Sequence, residues 1–250
     1  MSWQGPAAVL GFLVLTWWAW VGIELSIGEI VQNISNAGRI IEELLDPAWG
    51  ALNNTYGPFL ETIRMAVIAS VIGCSVALVV GFLASRVSAP DVVTFGVSKS
   101  VMSVIRSIPD VLYALVFVTV FSIGPMAGIL ALILFNIGVV AKLLSETVDG
   151  VDPGPIEAAD AAGATLMQRV RTAVFPQVLP NYLAYSLYVF ELNIRASAVI
   201  GLVGAGGIGQ FLNVARNAFR YDVISVIVIE IFVFVFVIET ISIAIRRRLV

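Results

Sequence analysis

Three polar side chains interrupt an apolar stretch in the second half of the chain. Glu191, Asn193 and Arg195 lie within residues 181–203, whose other side chains are typical of a membrane-spanning helix. A charge near the centre of such a helix costs roughly 2.5 to 3.5 kcal/mol on insertion scales, so it usually faces protein or water. Since Glu191 and Arg195 are four residues apart, they could neutralise one another as an ion pair. Alternatively, Arg195 binds an anion, because a guanidinium suits the oxygens of an oxyanion, and Asn193 is an accessory donor.

The chain lacks the residue types of common catalytic and metal sites. It has no His, and its single cysteine, Cys74, lies in an apolar run, so the usual pairs of nucleophile and base are missing. The sequence therefore predicts no enzyme activity, no metal and no cofactor in this chain. No P-loop occurs either, so any ATP and magnesium that drive it must bind another polypeptide. A net charge of −3 is too small to indicate nucleic acid as a partner.

The composition is that of an integral membrane protein. Of the 250 residues, 59% are hydrophobic and 12% are charged, and the mean hydropathy is +0.99. Alternating strand patterns are absent, so we expect an all-α protein in the lipid bilayer. Six windows approach the roughly 20 apolar residues that a membrane span needs. Five lie at about 7–27, 60–84, 126–144, 181–203 and 223–245, and the third of the six ends at about residue 123.

Residues 1–59 and 60–250 differ in character. The first part contains one span and then residues 28–59, where charged and aliphatic side chains alternate at a spacing typical of an amphipathic helix on the membrane surface. An ordinary solvated connector is the alternative for this segment. The second part holds the other five spans and forms the core.

The basic residues predict the orientation. Nine of the 14 Lys and Arg residues fall on one side of the six predicted spans, and basic loops favour the cytoplasm. We therefore expect a multi-pass protein of the bacterial cytoplasmic membrane with both termini in the cytoplasm. The nine are Arg86, Lys99, Arg106, Lys142, Arg169, Arg171, Arg246, Arg247 and Arg248.

The longest polar stretch, residues 147–180, follows the fourth span and is therefore cytoplasmic; we call it the docking segment. Pro155 suits a first helical turn and Glu157 the positive end of a helix, while Gly163 permits a bend. A second helix over 164–174 would then end before Pro176. The residues expected on or near one face of that helix are Leu166, Arg169, Val170 and Val174.

The docking segment resembles a known signature. Glu157-Ala158-Ala159, three residues, Gly163, nine residues and then Ala173-Val174-Phe175-Pro176 are similar to the EAA-x3-G-x9-I-x-L-P motif of ABC importer permeases. Ala173 and Phe175 replace the usual Ile and Leu. The resemblance implies the type I importer permease fold, in which this loop is a coupling helix inserted into a separate ATPase subunit. A plain cytoplasmic connector is the alternative.

Several further segments resemble the phosphonate-uptake subgroup of these permeases. The most specific is the Glu191-x-Asn193-x-Arg195 pattern followed by a glycine run over 201–209; the others are residues 106–110, 152–155 and 175–180. The resemblance implies a second permease copy, two ATPase subunits, an extracytoplasmic substrate-binding protein, and a small phosphorus oxyanion as substrate. An importer permease for methionine or another amino acid is an alternative, as are a transporter or channel that works alone and a structural scaffold.

Two other groups of residues are candidates for the translocation path. Gly204, Gly206, Gly207 and Gly209 formally match a dinucleotide-binding fingerprint, but they follow a membrane helix rather than a strand, so we reject that interpretation. They favour a close approach of two membrane segments or a bent re-entrant loop. Arg106, Pro109 and Asp110 lie near the start of the third span and are either a helix-end pair or a gate.

Overall fold

The computed structural model describes residues 4–23, 28 and 32–249. All the regular elements in this part of the chain are helical, as expected. Its contacts separate residues 1–46 from residues 47–250, and each of these units is described by itself. The predicted boundary at residue 59 lies inside a helix of the second unit.

In its described residues, the first unit contains two helices, α1 (Gln4–Gly22) and α2 (Ile34–Leu45). From residue 5 onward the side chains of α1 are exposed and, apart from Thr16, apolar, as those of a lipid-facing span are. In α2, Arg39, Glu42 and Glu43 alternate with isoleucines and leucines, and the position of residues 28–59 on the membrane surface stays a prediction. The predicted amphipathic segment also included residues 29–31, and the predicted first span residues 24–27; both lie outside the described residues.

The second unit opens with a 3-10 turn, Trp49–Ala51, and continues through nine helices. They are α3 (Leu52–Leu83), α4 (Val92–Ser107), α5 (Asp110–Phe121), α6 (Pro125–Asp149), α7 (Pro153–Ala161), α8 (Leu166–Arg169), α9 (Phe175–Gly201), α10 (Gly207–Asn217) and α11 (Tyr221–Leu249). A π-helical turn, Val170–Val174, joins α8 to α9. Helix α3 begins eight residues before the predicted second span, so residues 52–59 form its first two turns, in which only Thr55 is buried.

The pair α3 and α6 forms the centre of this unit. Small residues recur every fourth position along the buried face of α3, namely Ala69, Gly73, Ala77 and Gly81. A Cβ atom on Gly73 would lie 2.6 Å from the Asn136 Cβ, and one on Gly81 would lie 2.8 Å from Leu144 Cδ2. Small side chains therefore let the two helix backbones approach closely, which is how apolar helices associate in lipid.

The helix that precedes the predicted third span meets that span at a sharp angle. Helices α4 and α5 meet at Ile108 and Pro109 with a bend of 87°. Proline lacks the backbone N–H that would continue the helix, and the residue before it disfavours helical geometry. At the other end of α4, Asp91 caps the helix by accepting hydrogen bonds from the backbone N–H and the hydroxyl of Thr94, which lower the pKa of the Asp91 carboxyl.

The predicted six spans are not all evident from length and apolarity. In the described residues, four helices meet both criteria, or five spans if α4 and α5 count as one. Helix α9 has 27 residues and is about 40 Å long at 1.5 Å per residue, but its polar side chains keep it outside the apolar criterion. The sixth span stays a prediction.

Candidate functional site

The docking segment has the predicted order of a helix, a bend and a helix. Asp152 caps α7 by accepting a hydrogen bond from the Gly154 N–H at 2.9 Å. Gly163 supplies the bend with a φ of +75°, in the left-handed region that favours glycine. Thr165 and Gln168 then form a capping box at the start of α8, so two backbone donors at that helix end are satisfied.

The prediction that Pro176 ends the second helix is wrong. Helix α8 continues through the π turn into α9, where Pro176 occupies the first turn. The Phe175 N–H donates to the Val170 carbonyl, five residues back. This wider turn accommodates the proline, whose missing N–H would interrupt a regular α-helix. The docking segment is therefore joined directly to a long helix, which can transmit its movement.

Two side chains fix the conformation of the docking segment, and one of them, Arg169, also bonds to a residue outside it. Gln177 Oε1 accepts a hydrogen bond from the Asp152 N–H at 3.0 Å, and its Nε2 donates to the Ala173 carbonyl at 2.7 Å. Arg169 lies 3.3 Å from the Asp160 carboxylate and donates to the Val87 carbonyl at 3.0 Å. Arg169 thus ties α7 and α8 to the turn after α3.

The exposed surface of the docking segment differs from the predicted face. Val174 is fully buried in the core, and Leu166 and Val170 are half-buried, so that face packs inward. The outward surface carries Glu157 and Ala158, while Ala159 is half-buried. It also carries Met167, whose exposed fraction is 75%.

The predicted ion pair between Glu191 and Arg195 is wrong. Glu191, whose side chain is only 4% exposed, pairs with Arg246 of α11 at 3.1 Å. Glu191 and Arg195 are four residues apart along α9. Glu191, however, lies on the buried face that packs against α11, where Arg246 is its partner. The pair connects α9 to the end of the last helix.

The other two polar residues of α9 face different surroundings. The Asn193 Nδ2 donates to Ser70 Oγ of α3 at 2.8 Å, and Asn193 is fully buried. Arg195 is exposed and lines a groove that also contains Glu239. Within the part of the chain that the structure describes, the guanidinium of Arg195 has no ion-pair partner. Its role in the path stays a prediction.

The glycine run allows the close approach that the sequence predicts. Gly204, Gly206 and Gly207 have positive φ angles of 93°, 83° and 68°, and they form the turn between α9 and α10. A Cβ atom on Gly209 would overlap the carbonyl of Ala198. The start of α10 is held by α3, because the N–H groups of Gly207 and Ile208 donate to side chains there.

Arg106, Pro109 and Asp110 lie together at the break between α4 and α5. With residues of α6 they line a cavity of about 220 Å³. Arg106 and Asp110 do not pair in the described structure, since the Asp110 carboxylate accepts from the neighbouring Val111 N–H at 2.9 Å.

Several of these functional contacts had no local signal in the sequence. Arg246 was assigned only to a terminal basic cluster, and the acceptors at the start of α10, Glu61 Oε1 and Thr62 Oγ1, lie 146 residues away in the chain. Met167 could have been singled out as an apolar side chain among polar neighbours.

Residues 77–250 match the sequence model of a family described as binding-protein-dependent transport system inner membrane component. The chain is 34% identical over 241 residues to the phosphite transport system permease protein PtxC of Stutzerimonas stutzeri, a match that covers 96% of this chain and 87% of that protein. It is 36% identical over 212 residues to the phosphate-import permease protein PhnE of Mycolicibacterium smegmatis (strain ATCC 700084 / mc(2)155), covering 84% of this chain and 40% of that protein.

The fold is similar to that of a solved transporter. A chain in an inward-facing structure of the MetNI methionine ABC transporter superposes with a TM-score of 0.69 at 25% sequence identity. The superposition covers 78% of this chain and 96% of the other.

Proposed function

Because the chain belongs to the family of binding-protein-dependent transport system inner membrane components, we propose that it is the membrane-spanning permease subunit of an ATP-driven importer for a small phosphorus oxyanion. The substrate is a phosphonate, phosphate or phosphite. The observation that carries this proposal is the 34% identity to a phosphite transport permease over 96% of this chain. Such coverage includes the membrane helices as well as the docking segment.

The docking segment contacts the ATPase. Its outward surface offers Glu157, Ala158 and the exposed Met167, and its bend at Gly163 leaves open space in which an added Cβ atom would meet nothing within 4 Å. Helix α8 continues without interruption through the π turn into α9. Closure of two ATPase subunits would therefore move α8, and α9 would transmit that movement into the membrane. ATP and magnesium bind to those partner subunits.

Helix α9 supplies the sixth span, with the amino and carboxyl termini both in the cytoplasm. The buried contacts of Glu191 with Arg246 and of Asn193 with Ser70 support this assignment, because polar atoms in a membrane helix are stable when they face protein partners. The basic residues near the predicted cytoplasmic ends support the orientation.

A second permease copy completes the translocation path, and an extracytoplasmic binding protein delivers the substrate. The path runs along α9 and the turn that follows it, past Asn193, Arg195, Gly204, Gly206, Gly207 and Gly209. The exposure of Arg195 and its lack of a carboxylate partner in the described residues favour this course. Arg106, Pro109 and Asp110 form a gate at the broken helix.

Methionine import is the second candidate, since the superposed transporter carries methionine. The two candidates differ in the ligand of the binding protein that stimulates ATP hydrolysis by the assembled complex. Calorimetric titration of that binding protein with methylphosphonate, phosphate, phosphite and methionine distinguishes them. We expect tight binding of at least one phosphorus oxyanion. Tight binding of methionine with none of the oxyanions bound would overturn the proposed substrate.

A further inference from the structure

The break between α4 and α5 leaves a cavity lined by Arg106 and Asp110, near the start of the predicted third span. Helix α4 has 16 residues and α5 has 12, which correspond to about 24 Å and about 18 Å of helix. The bend therefore lies near the middle of the pair. In hydrocarbon, an interrupted helix is tolerated where the interruption is buried in protein or lines a polar cavity.

The geometry of the break is fixed by hydrogen bonding. Because Pro109 has no N–H, the carbonyl of Ile105 loses its helical donor. The hydroxyl of Tyr113 replaces that donor and bonds to the Ile105 carbonyl at 3.0 Å. Tyr113 also lines the cavity, so this hydrogen bond holds one wall in place.

The side chain of Arg106 is positioned by α6. A Cβ atom on Gly138 would lie 2.9 Å from Arg106 Cγ and 3.2 Å from Ile105 Cγ2, closer than such contacts normally are. Only glycine at this position lets the aliphatic stem of Arg106 lie flat against α6. Since the stem is fixed near its base, the position of the guanidinium depends on Gly138.

The guanidinium N–H groups of Arg106 are available to bind a ligand. Across residues 4–23, 28 and 32–249 it makes no ion pair, although Asp110 lines the same cavity. Asp110 is held by the Val111 N–H of its own helix. Together Arg106 and Asp110 carry no net charge, which lowers the cost of holding both groups beside apolar helices.

We propose that Arg106 binds the phosphorus oxyanion as it crosses the membrane, so that this cavity is a transient anion site and not only a gate. The inference rests on the proposed function. A guanidinium donates two parallel hydrogen bonds to a tetrahedral oxyanion. The cavity of about 220 Å³ has room for such an ion with some of its water, since one water occupies about 30 Å³ of liquid.

The test is uptake of labelled phosphite, phosphate and methylphosphonate by the complete transporter, with the binding protein in excess. We expect Arg106→Gln to lower the maximal rate by about tenfold or more, because charge-assisted hydrogen bonds are the strong ones. The half-saturating concentration, set by the binding protein, and the basal ATP hydrolysis stay near the wild-type values. Arg106→Lys keeps the positive charge but cannot donate two parallel hydrogen bonds. We expect its maximal uptake rate to lie between those of the wild type and Arg106→Gln.

Gly138→Ala tests the same site without removing a charge. It displaces the guanidinium and should lower the maximal rate, whereas Gly96→Ala on the solvent side of α4, where an added Cβ meets nothing within 4 Å, should not. Arg39→Gln is the matched control for loss of an arginine, because Arg39 lies in the first unit.

Each outcome decides the proposal. Uptake by Arg106→Gln within about twofold of wild type would overturn it while leaving the proposed function standing. A loss of basal ATP hydrolysis in parallel with uptake, in all three site variants, would show a structural role and also overturn it. A lipid phosphate bound at Arg106 would leave the maximal rate unchanged. If the wild-type transporter takes up none of the three ions, the proposed function itself fails.

Discussion

Removal of Arg246 should destabilise the protein more than removal of its partner Glu191. The Glu191 side chain is 4% exposed and that of Arg246 is 28% exposed, and their charged atoms are 3.1 Å apart. Arg246→Ala leaves a carboxylate buried without a countercharge, for which about 3 to 5 kcal/mol is typical. Glu191→Ala leaves an arginine near the end of α11 that can turn toward water, so we expect only about 1 to 2 kcal/mol.

The double variant Glu191→Ala with Arg246→Ala removes both charges together. Its destabilisation should therefore lie well below the sum of the two single effects, with a coupling of about 2 to 3 kcal/mol. The measurement is reversible unfolding of the purified protein in detergent or bicelles, with all four proteins of the cycle compared under one condition.

Arg195→Ala provides the matched control for that cycle. Glu191 and Arg195 make no ion pair in the described structure, so their effects should add within about 0.5 kcal/mol. Strong coupling between Glu191 and Arg195, with additive effects of Glu191 and Arg246, would refute the assignment of the partner.

Four further changes test the docking segment and the glycine turn. Glu157→Lys and Gly163→Asp should leave the permease in the membrane but weaken its assembly with the ATPase, measured by co-purification; normal coupled transport in both variants would count against the coupling role. Met167→Asp should lower ATPase affinity without changing the unfolding free energy, because the side chain is 75% exposed. Gly209→Ala should destabilise the protein by about 1 to 3 kcal/mol through overlap with backbone atoms, whereas Gly57→Ala, with open space around it, should not.

The sequence predicted the elements that depend on local chemistry. The docking segment is a helix, a bend and a helix because Asp152, Gly163 and the capping residues act over a few positions. The glycine run brings two segments together because a missing Cβ atom has the same effect in any context.

Contacts between distant parts of the chain could not be predicted in the same way. Arg246 lies 55 residues from Glu191, and nothing in the local pattern distinguishes it from the nearer Arg195. Periodicity predicted that Leu166, Val170 and Val174 share one face of the segment, whereas the inward orientation of that face depends on packing against the core. Pro109 was placed near the start of the third span, but the bend of 87° between α4 and α5 was not predicted.

Uptake by proteoliposomes tests the central claim most directly. Vesicles that contain the permease and its ATPase should accumulate labelled phosphite, phosphate or methylphosphonate in their lumen. We expect this only when ATP is inside the vesicles, on the side that corresponds to the cytoplasm, and the binding protein is outside. Accumulation by the permease alone, without ATPase or ATP, would contradict the account and identify a transporter that works by itself.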